Sequence, residues 1–182
     1  MREGSRSVGA FLAFSVALFL SILAAGGCSE QRADETQGPQ LENTFETPEA
    51  VSQAVLTALE AEDYETLRSY ALSEEEFRDI VWPELPASRP ERNVPLSYAW
   101  GDLNQKATNS LKTLVFGGAG GRHYELQRVE FDGETTPYET FLVHRDARLV
   151  VRDDQGIERR VNFFGSIIER RGRYKLFSYN VN

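Results

Sequence analysis

The sequence predicts an α+β fold in which N-terminal helices pack on an antiparallel sheet of four or more strands. Three observations carry that expectation. Apolar residues recur at helical spacing from residue 48 to residue 116, strand-like alternation replaces that spacing after Gly117-Gly118, and glycine turns punctuate the alternating half. A run of helices followed by a run of strands indicates segregated layers, with helices on one sheet face, instead of repeating βαβ units.

Each element has a local reason. Thr47-Pro48-Glu49 starts the first helix with a capping hydroxyl, a proline in the first turn and an acid at the positive dipole end. Val51, Val55, Ala58 and Leu59 then share a face. Asp63 caps a short second helix through about Tyr70, with Leu67 and Tyr70 turned inward. Ser73-Glu74-Glu75-Glu76 is a capping box ahead of Phe77, Ile80 and Val81, and that third helix ends near Trp82-Pro83. Four prolines make residues 83–95 an irregular excursion. From Ser97 onward, Trp100, Leu103, Ala107, Leu111 and Leu114 mark one face of a longer helix that stops at Phe116-Gly117-Gly118.

Strands are expected over residues 123–131 and 139–152, the second bent near Asp146-Ala147. Residues 153–156 turn into a third strand over 157–169, and Arg170-Arg171-Gly172 turns into a fourth over 173–181. Residues 46–182 therefore form one domain, with no internal repeat.

Two stretches carry a family resemblance. "TPEAVSQAVLTALEAEDYETLRSY" resembles the opening helix and acidic turn of the NTF2-like (cystatin-like α+β) superfamily, and "IIERRGRYKLFSY" resembles its closing hairpin. The resemblance implies a strongly curved sheet whose mouth is filled by the helices, with a cavity between them that holds apolar ligands or substrates. The proline-rich excursion is longer than that family's pattern.

The N-terminus reads differently. Arg2 and Arg6 precede an apolar run over residues 8–23, about 16 residues, which ends in Ala24-Ala25-Gly26-Gly27. That is the order of a secretory signal peptide, and the run is shorter than the roughly 20 residues of a spanning helix. Ala25-Gly26-Gly27-Cys28 resembles the lipobox of bacterial lipoproteins, although the leucine usual three places before the cysteine is Ala25 here. The resemblance implies cleavage after residue 27 and lipidation of Cys28, the single cysteine of the chain. A plain signal peptide with an incidental thiol and an uncleaved anchor helix are the alternatives. Ser29 stands where an aspartate signals inner-membrane retention, so the expected location is the cell envelope, on the outer membrane facing the periplasm where the host has two membranes. Residues 28–45, polar and nearly free of apolar side chains, read as a disordered tether.

Composition narrows the partners. The net charge is −8, and since the leader contributes +1, residues 28–182 carry −9, which disfavours nucleic acid. A single cysteine forms no internal disulfide, so the core alone must stabilise the domain. The helical half is acidic and the sheet half Arg-rich, a pattern that solvation explains and that an envelope protein could also use for docking.

Candidate chemistry is sparse. His123 lies two before Glu125 and His144 two before Asp146, so each pair shares a strand face. An acid–base role for His144 with Asp146 is the catalytic candidate, against ordinary cross-strand pairing on a surface. No metal site and no cofactor are expected. "GGAGG" at residues 117–121 lacks the preceding strand, following helix and Lys-Ser/Thr ending of a phosphate loop, and reads as a helix stop. Trp82, Trp100, Tyr124, Phe163, Tyr174 and Phe177 are the candidates for lining a ligand pocket, with simple core packing as the alternative. The leading expectation is a lipid-anchored, non-enzymatic domain that binds an apolar small molecule or an envelope protein, attached to the membrane through Cys28. A small isomerase- or hydrolase-type enzyme and a purely structural envelope component are the alternatives.

Overall fold

The structure, a computed structural model, describes residues 38–180. The expected leader, Cys28 and the first part of the expected tether lie outside the described residues. Four helices come first: α1 (Pro48–Glu60), α2 (Tyr64–Ser69), α3 (Glu74–Glu76) and α4 (Leu96–Leu114). Seven strands follow: β1 (Tyr124–Phe131), β2 (Thr136–Pro137), β3 (Leu142–His144), β4 (Ala147–Asp153), β5 (Glu158–Val161), β6 (Ser166–Arg170) and β7 (Arg173–Ser178).

The helix starts follow their caps. Thr47 Oγ1 accepts from the Ala50 amide at 3.1 Å, and Asp63 accepts from the Thr66 amide at 3.1 Å. Ser73 and Glu76 form a reciprocal capping box. The third helix is less regular than its apolar spacing suggests. After one α turn it widens to a π turn over Phe77–Val81 and tightens to 3₁₀ over Trp82–Glu84, since Pro83 has no amide to continue the ladder. The excursion carries two further 3₁₀ turns before α4. The glycine stop after α4 is real, with Gly118 at φ 103° in the left-handed region.

The strands form two antiparallel sheets, not the single sheet expected: β1-β4-β5 and β2-β3-β6-β7. Both long expected strands divide. The first breaks at Arg145-Asp146, where Asp146 takes φ 54°, so β3 joins one sheet and β4 the other. The second breaks over residues 162–165. Phe163 and Phe164 are both buried in the same apolar cluster, and neighbours in a regular strand face opposite sides, so the backbone must leave the strand there.

Helices and turns cover both faces of the four-stranded sheet, again unlike the expected one. Ile167 and Ile168 are adjacent and fully buried, yet they belong to different clusters. Ile167 faces the larger cluster with Val55 and Leu59 of α1 and Leu149 of β4. Ile168 faces the second, with Phe77, Ile80 and Val81 of the third helix and Val143 of β3. At about 1.5–3 kcal/mol for each fully buried large apolar side chain, these two layers supply most of the driving force.

The last part of the expected tether is ordered against the domain. Phe45 exchanges two backbone hydrogen bonds with Tyr174, at 2.8 and 2.9 Å, and its ring meets Tyr70 edge-on at 5.2 Å. Arg173 donates to the Thr44 carbonyl, Arg170 to the Pro39 carbonyl, and Leu41 packs on the second cluster. Residues 39–45 thus run along the sheet edge at β7.

Candidate cavity beside a buried ion pair

A cavity of about 440 Å³ opens between α4, the segment from α2 to α3, β7 and residues 42–43. Its α4 wall is the face marked out by sequence spacing: Trp100, Leu103, Ala107 and Leu111. Its β7 wall presents Lys175 and Phe177, two residues apart and therefore on one side of the strand, followed by Tyr179. The size is that of a small-molecule site, and its lining mixes an apolar side from α4 and Phe177 with a larger share of polar and charged groups.

The most demanding chemistry is in that wall. Lys175 and Glu76 are 2% and 5% exposed, and Lys175 Nζ lies 3.0 Å from Glu76 Oε1. A buried charge persists only when paired and further hydrogen-bonded, and both charges are. Lys175 also donates to the Glu42 carbonyl at 2.8 Å, while Glu76 accepts from the amides of Glu42 at 2.7 Å and Ser73 at 2.8 Å. The ion pair therefore grips both backbone polar groups of Glu42. Nearby, the Tyr179 hydroxyl donates to the Leu67 carbonyl at 2.6 Å, and burial pushes the Tyr179 phenol far above its ordinary pKa.

Of the six aromatic residues singled out by sequence, Trp100 and Phe177 line this cavity. Trp82 packs beside Phe77, with ring centres 6.0 Å apart. Tyr124 and Phe163 meet edge-on at 5.3 Å inside the larger cluster. Tyr174 packs against that cluster and Phe45. Spacing alone does not separate lining from core, because both need large apolar faces. Lys175 and Glu76 were missed as site residues. One signal was available: Lys175 shares a strand face with Phe177 in a hairpin apolar on both sides, which leaves a cation there in need of a partner.

His144 is part of a second polar cluster, but not with Asp146. Its Nε2 is 2.8 Å from Glu169 Oε2, and its Nδ1 is 3.0 Å from Thr135 Oγ1. The carboxylate only accepts, so Nε2 carries the proton and, in the neutral ring, Nδ1 accepts from the threonine hydroxyl. Burial, then the charge of Glu169, raises the pKa of the neighbouring Tyr174 phenol. Asp146 is exposed, on the strand break, with its carboxylate over the backbone of Gly133. His123 pairs instead with Glu60 at the end of α1, at 2.9 Å. Among the described residues no cluster of three or more His, Cys, Asp or Glu is placed to hold a metal, and no helix is long and apolar enough to cross a membrane.

No protein-family model matches the chain, and no curated protein or solved structure is significantly similar to it.

Proposed function

We propose that the protein is a lipid-anchored module of the cell envelope that binds a small amphipathic molecule in the cavity between α4 and β7. In this reading the signal peptide is removed after residue 27, Cys28 carries the acyl chains, and the domain is an NTF2-like scaffold. The order of helices before antiparallel strands supports that scaffold, and the leader with its single cysteine supports the anchor. Multiple acyl chains hold a protein stably at a bilayer, so the domain needs no other membrane contact. The outer membrane, facing the periplasm, is the proposed location in a host that has one.

One observation carries the binding reading. The cavity combines the apolar faces of Trp100, Leu103 and Phe177 with polar groups from three chain segments, including a buried charge pair. A ligand that binds only the native state raises the melting temperature. A thermal-shift screen of the full chain against amphipathic metabolites tests the reading, with Ala107→Phe as the variant that fills the cavity. Stabilisation of the wild type that disappears in Ala107→Phe is the expected result. Equal shifts in both proteins would falsify binding at this site.

A second reading, a small hydrolase or isomerase, is favoured by a different observation. His144 sits between a hydroxyl and a carboxylate in the order used for proton transfer. Turnover of activated esters that falls in His144→Asn would support this reading, and identical rates would remove it.

A further inference from the structure

We propose that the cavity takes a ligand with a protonated amine beside a flat apolar body, an inference that rests on the binding reading above and names its ligand class. The walls provide for both parts. Trp100 and Phe177 line it with aromatic rings, Trp100 also packing on Phe77 with ring centres 5.4 Å apart, and Leu103 adds apolar surface. Four carboxylates and two cations line the same space. Glu76 and Lys175 neutralise one another, which leaves Glu42, Glu65 and Glu74 against Arg68.

The excess negative charge thus lies on exposed carboxylates at the rim of a concave site, where field lines concentrate more than on a flat surface. An aromatic face adds an attraction specific to cations, strongest for tryptophan. An anionic ligand would meet the same carboxylates as repulsion, and Lys175 cannot serve it without leaving Glu76 and Glu42. Charge, aromatic faces and an already occupied lysine therefore select the same chemistry. The amine could belong to a soluble molecule or to a lipid headgroup at the membrane that holds the anchor.

The chain has two tryptophans, so Trp82→Phe leaves Trp100 as the sole indole reporter in the cavity wall. The full chain, reconstituted in amine-free phosphatidylglycerol nanodiscs, is titrated with phenethylamine and with 3-phenylpropanoate while Trp100 emission is followed. The expected result is saturable binding of the amine, at least about tenfold tighter than the carboxylate. That preference shrinks in Glu65→Gln/Glu74→Gln and vanishes in Ala107→Phe. If the soluble amine is silent but phosphatidylethanolamine nanodiscs change the emission and Ala107→Phe abolishes the change, the amine is a lipid headgroup and the proposal stands. Equal or tighter binding of the carboxylate overturns the proposal and leaves the cavity a binding site. No response to any probe overturns both.

Discussion

At the scale of single residues, the Lys175–Glu76 pair dominates. Breaking a buried pair leaves one charge uncompensated, whereas replacing both partners with apolar groups of similar volume is far milder. Lys175→Met is therefore expected to lower stability by about 3–5 kcal/mol, and adding Glu76→Leu to it to cost less than Glu76→Leu does alone, since Glu76 also accepts from the Glu42 and Ser73 amides. Urea unfolding of the wild type, both single variants and the double variant checks this, and losses that simply add would show that the pair is not acting as a pair.

His123 gives a pH dependence of known sign. The hydrogen bond to Glu60, and then its charge, raise the histidine pKa above 6.5 in the folded protein. A group with a raised folded pKa stabilises fully below its unfolded value, about 6.5, and that contribution is lost as pH climbs through the folded value. The stability difference between wild type and Glu60→Gln should accordingly shrink as pH rises from 6 to 9. A difference that is flat or grows with pH contradicts the assignment.

At the scale of elements, the segment before α1 behaves as part of the sheet edge. The Phe45 amide donates to Tyr174 and the Glu42 amide to Glu76. Hydrogen exchange of the full chain is expected to show both amides protected to nearly the level of β7, while a tether would exchange at once. The helices were legible because their caps are local: Thr47, Asp63 and Ser73 each bond a backbone amide three residues on. The division of the strands was not, because it depends on which cluster each side chain enters. The bend expected near Asp146-Ala147 falls where the strand breaks, but nothing in the alternation of residues 139–152 shows that Asp146 turns into the left-handed region and sends β3 and β4 to different sheets. Residues 39–45 read as tether for a similar reason, since beside Leu41 and the Phe45 ring their attachment is made by backbone groups, and backbone groups are the same in every sequence.

The candidate sites divide along the same line. The α4 face was readable from helical spacing, and with it Trp100. The partners of charged groups were not, because they lie far away in the chain: Glu169 is 25 residues from His144, and Glu76 is 99 residues from Lys175. Val150 makes the same point on the three-stranded sheet. It is 2% exposed although it sits between Arg128 and Arg160 in register, both arginines being tied to Glu130. Long arginine stems cover it while their heads stay in water.

For the whole molecule, the proposed anchor at Cys28 and the cavity are close along the chain. The ten residues from Cys28 to Gly38 reach at most about 36 Å when fully extended, and Glu42 in the cavity wall follows four residues later. With the proposed lipidation of Cys28, Gly38 stays within that distance of the bilayer and Glu42 within about 50 Å, which suits a ligand met at the membrane.

Native mass spectrometry of the membrane-extracted protein tests anchor and cavity together. The proposal predicts a covalent mass beginning at Cys28 with acyl chains attached, and a noncovalent adduct present in the wild type and missing from Ala107→Phe. A free thiol at Cys28, or an adduct equally abundant in both proteins, contradicts it.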